Sequence, residues 1–194
     1  MLAGHTTARD QLLNEMNVRS GERVLEVGCG TARNLIILAR RHPDAHFYGL
    51  DASAAMLETA QAKTDNAGLK SITLKTALAD DFSFNGTFGR AVPFDKIFFS
   101  YSISMIPPWR ESIDNALANL KPGGTLYLVD FYDQKDLPAA FRKLLKWWLR
   151  KFHVQFWDGL LPYFSSLDKD GLVRLDLKPL FRRYSFIASL KKPI

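Results

Sequence analysis

Short apolar runs and longer stretches with a helical repeat alternate along most of this chain. Arg23–Val27, Ala45–Leu50, Ser71–Thr76, Lys96–Tyr101 and Thr125–Phe131 are compact and rich in Val, Ile, Leu and Phe, as expected of strands covered on both faces. Between them the spacing predicts helices over Ala32–Arg41, Ala54–Ala67 and Trp109–Asn119, with a leading helix over Thr7–Met16 and a long one near Leu137–Phe152. Leu172–Leu177 and Tyr184–Leu190 have no long helix between them and read as a closing antiparallel pair. Asp51-Ala-Ser53 supplies a small oxygen-bearing cap for the helix after it, and Lys121-Pro-Gly-Gly124 is expected to end a helix just before a strand. The pattern predicts an α/β, Rossmann-like fold: a mostly parallel seven-stranded sheet with helices on both faces and an antiparallel C-terminal strand.

Composition sets the scale. At 194 residues with 47% hydrophobic and 24% charged content, the chain is expected to form one domain over residues 1–194. No apolar stretch approaches the roughly 20 residues that span a bilayer. A lone cysteine, Cys29, and a start without an apolar leader segment point to the cytoplasm. The net charge of +6 is unevenly placed: residues 1–133 hold 13 basic and 15 acidic side chains, residues 134–194 hold 13 and 5. Such a skew suggests an anionic partner surface, either nucleic acid or membrane. On the long helix Leu137, Phe141, Leu144, Leu145, Trp148, Leu149 and Phe152 share one face, while Trp147 sits among Arg142, Lys143, Lys146, Arg150 and Lys151. An exposed tryptophan between cations suits peripheral contact with an anionic membrane. Nucleic acid is disfavoured, because the aromatics do not interleave with the basic residues as a stacking platform.

The chemistry concentrates where Val24–Val27 runs into Gly28-Cys-Gly30-Thr-Ala32, the turn at which open α/β sheets bind nucleotide-like ligands. Arg33 stands where the dinucleotide fingerprint needs a third glycine, so NAD and FAD are disfavoured. Glu26 at the strand end suits a positive amino group, and Asp51 at the end of the next strand suits a ribose diol. Together they describe an aminoacyl nucleoside such as S-adenosyl-L-methionine. No Cys/His cluster has metal-ligand spacing, and no Ser/His/Asp arrangement is apparent.

These residues resemble the class I S-adenosylmethionine-dependent methyltransferases: Val24-Leu-Glu-Val-Gly-Cys-Gly-Thr31 is similar to their first motif, Gly49-Leu-Asp-Ala-Ser53 to their second, and Leu120-Lys-Pro-Gly-Gly-Thr-Leu126 to their turn after the fourth helix. The resemblance implies a methyltransferase fold in which Gly28, Cys29 and Gly30 meet the methionine part of the cofactor, Asp51 its ribose, and Ala52 and Met56 the adenine region. Glu26 and Ser100 join this cofactor set. Ala32 replaces the family's third glycine, and Leu78 stands at its adenine-binding acidic position, so Asp80 or Asp81 is expected to take that role. From Phe94-Asp-Lys-Ile-Phe-Phe-Ser-Tyr-Ser-Ile-Ser-Met-Ile-Pro-Pro-Trp109, with Val129-Asp-Phe-Tyr-Asp-Gln134, the chain resembles the bacterial betaine-lipid methyltransferases, which methylate the amine of diacylglycerylhomoserine. Their longer tyrosine-bearing lead implies a shortened lid here.

The implied activity is N-methylation of an amine, lipid-linked by the narrower resemblance. Tyr101, Ser102, Asp130 and Tyr132 lie at the carboxyl ends of the fourth and fifth strands, where substrates sit in such sheets. Tyr101, Tyr132 and Asp130 are the candidate catalytic residues. Tyr101, Trp109 and Tyr132 are also candidates to face a methylammonium with their rings, and His153 is a weaker candidate. Two rivals stand beside this reading: a methyltransferase for a soluble amine or natural product, and a non-catalytic cofactor-binding module that holds nucleic acid.

Overall fold

The computed structural model describes residues 7–133, 135–136 and 155–194. The long helix near Leu137–Phe152, its cations and Trp147, and His153 lie outside the described residues.

The elements run α1 (Ala8–Glu15), β1 (Arg23–Val27), α2 (Arg33–Arg41), β2 (His46–Asp51), α3 (Ala54–Asn66), β3 (Ile72–Thr76), β4 (Phe94–Ser100), a 3-10 turn at Ile103–Met105, α4 (Trp109–Ala118), β5 (Leu120–Phe131), α5 (Leu160–Lys169), β6 (Arg174–Leu180) and β7 (Ser185–Lys191). Thr7 starts α1 with a capping box: its hydroxyl accepts from the Asp10 amide while Asp10 reaches back to the Thr7 amide. Ser53 caps α3 by accepting from the Met56 amide.

The seven strands form one sheet in the order β3-β2-β1-β4-β5-β7-β6. β1 to β5 are parallel, while β7 runs antiparallel to both β5 and β6. Strand order reverses between β1 and β4, which opens a crevice at their carboxyl ends. Side chains alternate across the sheet as the pleat requires. Val24, Phe47, Phe98 and Ile187 pack with Leu12, Leu35, Leu38 and Leu57 from α1, α2 and α3. Leu25, Ile97, Phe99, Leu126 and Phe186 pack on the other face with Ile113 of α4 and Phe164 of α5. Helices thus cover both faces, as the strand-helix alternation predicts.

Three elements depart from the sequence expectation. α5 is additional: Leu160, Phe164 and Leu167 form its buried stripe, and Pro162 is tolerated because it lies in the first turn, where an amide has no intrahelical partner. The outer strand begins at Arg174 and reaches Leu180, because Gly171 and an exposed Leu172 complete the exit from α5. Lys121–Gly124 is an excursion inside β5, pairing shifting from Phe94 with Leu120 to Lys96 with Thr125. Asp95 holds this end of the sheet together. It accepts the Arg23 amide at 2.8 Å and pairs with Lys121 and the Arg23 side chain. Burial opposes ionisation of Asp95, but the Lys121 and Arg23 partners win and hold its pKa below the usual carboxylate range.

Candidate active site

The turn after β1 is built from left-handed backbone. Gly28 has φ +72°, and a Cβ there would lie 2.6 Å from the Ser102 Cβ, so the loop after β4 rests directly on the glycine. Ser102 also donates its hydroxyl to the Val27 carbonyl at 2.8 Å. The Gly28 and Cys29 amides donate to the Leu50 carbonyl at 2.9 and 3.0 Å. Asp51 then accepts from the Gly30 amide at 2.8 Å and the Ser53 amide at 2.9 Å. Each carboxylate oxygen keeps a second acceptor position. Ala32, in place of a third glycine, takes φ +58° at the start of α2.

Among the described residues, the buried polar atoms without hydrogen-bond partners include Glu26 Oε2, Asn34 Oδ1, Arg9 Nε and Ser100 Oγ; Glu26 and Asn34 are joined directly, and the Arg9 charge acts on Glu26. Glu26 is 1% exposed; its other oxygen accepts from Asn34 Nδ2 at 2.6 Å. Desolvation pushes its pKa up to about 8, against the Asn34 hydrogen bond and the charge of Arg9. Buried donors and acceptors left unpaired are costly, and the Glu26 and Asn34 acceptors with the Arg9 donor near them complement a ligand carrying both an ammonium and a carboxylate. Arg9 was not among the sequence candidates. Its only signal was a cation on the inner side of an otherwise ordinary first helix.

The remaining cofactor candidates are spread along the crevice. Cys29 turns its buried thiol toward Gly49 and α2, so only its backbone faces the loop; burial pushes the thiol pKa up. Ala52 is exposed, as are Met56 and Leu78, at 49% and 57%. Asp80 and Asp81 are exposed after β3.

A second concavity lies past the carboxyl end of β5. Its volume is about 370 Å³, and among the described residues Asp130, Ser104, Tyr132, Trp157 and Arg183 are part of its wall. Asp130 is 1% exposed. It accepts from the Ser104 amide at 3.1 Å and from its neighbour Phe131 at 2.7 Å. Burial nonetheless raises its pKa to about 6. Trp157 enters the wall by donating its indole N–H to the Ile103 carbonyl at 3.0 Å. Arg183 lies 4.3 Å from the centre of the Tyr132 ring while pairing with Asp133 through both carboxylate oxygens.

The structure separates two residues expected together. Tyr132 packs with the α4/α5 face, whereas Tyr101 joins the opposite face and meets the Phe131 ring at 5.0 Å between centres, tilted by 58°. The cause is local: Tyr101 adopts φ +55°, which breaks the strand alternation and turns its ring back toward α1. Trp109 shares the face of Tyr132 but stands behind the cavity wall, packed against Trp157 and Tyr163 with Arg110 over its ring.

A methyltransferase domain family matches residues 18–166. A demethylmenaquinone methyltransferase of Geobacillus kaustophilus is 31% identical over 197 aligned positions, covering 97% of this chain and 81% of the relative. One of Listeria welshimeri is 28% identical over 153 residues, 78% of this chain, and the match spans only 59% of that relative's length. Among solved structures, the YcgJ protein of Bacillus subtilis superposes with a TM-score of 0.72 at 15% identity, covering 96% and 98% of the two chains. A Haemonchus contortus phosphoethanolamine N-methyltransferase, solved with S-adenosyl-L-methionine, gives 0.74 at 15% identity, covering 96% and 52%. Sheet order, glycine turn and sequence matches agree: the chain belongs to the class I S-adenosylmethionine-dependent methyltransferase family.

Proposed function

We propose that the protein transfers a methyl group from S-adenosyl-L-methionine to an amine carried by a membrane lipid. The observation that carries this reading is Asp130, a buried carboxylate in the wall of a 370 Å³ cavity that also presents the Tyr132 and Trp157 rings. A carboxylate with aromatic faces suits an amine that gains positive charge.

In this reading Glu26 and Asn34 hold the cofactor's ammonium, Arg9 and Ser100 its carboxylate, the Gly28–Gly30 backbone its methionine chain, and Asp51 its ribose. Ala52, Met56 and Asp80 border the adenine. The bound cofactor supplies an electrophilic methyl group on sulfur. The protein's part is to orient the acceptor, exclude water and take a proton. An α-amine with a reference pKa of about 8 must be neutral to attack, and Asp130, at about 6, is ionised at neutral pH and receives that proton. Tyr132, held under Arg183, orients the headgroup. Tyr101 is not part of the cavity wall; its ring lies against Phe131, which is.

The lipid part of the proposal rests on the Ser100–Trp109 run that resembles betaine-lipid methyltransferases, and peripheral contact with an anionic cytoplasmic membrane surface belongs to it. No helix among the described residues is long and apolar enough to cross a membrane. The names of the sequence relatives favour a second reading, methylation of a ring carbon of a demethylmenaquinone-like acceptor in its reduced, hydroquinone form, with Asp130 taking the proton of a ring hydroxyl. The test is to supply purified protein and methyl-labelled cofactor with vesicles containing diacylglycerylhomoserine, vesicles containing demethylmenaquinone chemically reduced to its hydroquinone, or a soluble amine. Label in the first alone supports the amine-lipid reading. Label in the second alone replaces it with the quinone reading, and label in the soluble amine alone removes the lipid.

A further inference from the structure

The run Ser100-Tyr-Ser-Ile-Ser-Met105 does more than end β4. Ser102 touches the glycine turn twice, through its hydroxyl on the Val27 carbonyl at 2.8 Å and through its Cβ in the space a Gly28 side chain would need. Two residues on, the Ser104 amide donates to Asp130 at 3.1 Å. The residue between them, Ile103, accepts the Trp157 indole N–H at 3.0 Å, and the Ser104 carbonyl accepts the Gln155 amide at 2.8 Å. Ser102, Ile103 and Ser104 are all buried. On the other side, the same turn is tied to Asp51 through Gly30. A rigid, water-excluded segment of three residues therefore joins the turn to the cavity wall.

We propose that Ser102 and Ser104 are positioning residues that couple occupancy of the glycine turn to the placement of Asp130 and Trp157 in the cavity. The proposal rests on the reading of the glycine turn as the cofactor site and of the cavity as the acceptor site. Packed segments transmit small shifts because they cannot deform continuously. A movement of the turn pulls on Ser102 through the hydroxyl bonded to the Val27 carbonyl at 2.8 Å, and the Ser102 side chain already fills the space beside Gly28 that a side chain there would need. Ser104 then carries the displacement to the Asp130 carboxylate, and Ile103 carries it to the indole.

The experiment needs no acceptor. Protein labelled with fluorotryptophan is titrated with S-adenosylhomocysteine, and the Trp157 resonance is assigned by its loss in Trp157→Phe. The expected result is a shift of the Trp157 resonance that saturates with the calorimetric binding curve. Ser102→Ala should bind S-adenosylhomocysteine within about threefold of the parent and lose at least half of that shift, and Ser102→Thr, which keeps the hydroxyl, should recover part of it. A full shift in Ser102→Ala overturns the coupling. So does a silent Trp157 in the parent, a result that stands even if the variant fails to fold. Absence of calorimetric binding to the parent would instead overturn the cofactor-site reading.

Discussion

Asn34 donates its side-chain amide to Glu26 at 2.6 Å, tying the first turn of α2 to the carboxyl end of β1. The partner oxygen, Oε2, is buried and unpaired. With its pKa raised to about 8 by burial, the folded chain keeps a proton there that the unfolded chain releases near its ordinary value of 4.5. Stability contributed at low pH should therefore fall as pH rises from about 4.5 to 8, by up to roughly 4 kcal/mol. Urea midpoints at pH 5, 6, 7 and 8 check this. Glu26→Gln should flatten the dependence and be more stable than the parent at pH 8.

Cofactor affinity should carry the opposite slope. If Glu26 meets the ammonium, binding favours its ionised form and expels a proton, so S-adenosylhomocysteine affinity should rise with pH by up to tenfold per unit below pH 8. Calorimetry in two buffers of different ionisation enthalpy would count the proton. No released proton at pH 7 would detach Glu26 from the ligand.

Asp51 serves both the turn and its ligand. Asp51→Ala leaves the Gly30 and Ser53 amides without their acceptor, and the expected loss of S-adenosylhomocysteine affinity corresponds to about 1.5–3 kcal/mol. An unchanged dissociation constant would remove Asp51 from the ribose role.

Gly28→Ala should be severe. Left-handed backbone with a Cβ costs about 1–2 kcal/mol, and the 2.6 Å approach to Ser102 forces the loop after β4 to move. Chemical denaturation should show a loss of at least about 2 kcal/mol, with cofactor binding weakened as well.

The rate of methyl transfer should rise through about pH 6 as Asp130 ionises. Asp130→Asn should lower turnover on the order of 10²- to 10⁴-fold and remove that limb of the profile. A profile retained in the variant would assign the limb to another group.

Much of this was legible because the relevant residues sit in or beside dense local signals. Glu26, Gly28, Gly30 and Asp51 are all within three residues of a strand end, and strand ends are marked by where runs of Val, Leu and Phe stop. The antiparallel pair was legible from the lack of room for a crossover helix. Arg9 was not: an arginine on α1 becomes part of the site only because α1 packs across the sheet near Glu26, a tertiary fact. The sequence puts Tyr101 at the end of the fourth strand but does not show which face its ring takes, because the side-chain alternation of a strand ends where the backbone turns to φ +55°. α5 was hidden by Pro162 and by the serines Ser165 and Ser166, which weaken local propensity while the stripe of Leu160, Phe164 and Leu167 still packs.

The two ends of the sheet answer to pH in opposite senses. At the amino end, Asp95 must be ionised to hold Arg23 and Lys121, and its lowered pKa means that only strong acid releases them. At the carboxyl end, Glu26 must be neutral to rest in its buried place, and only alkali charges it. Acid should therefore unzip the molecule from the end away from the glycine turn, and alkali from the turn itself. Between the two lies a mildly acidic optimum at which the ligand-free chain is most resistant to unfolding, set below the pH at which its ligand binds best.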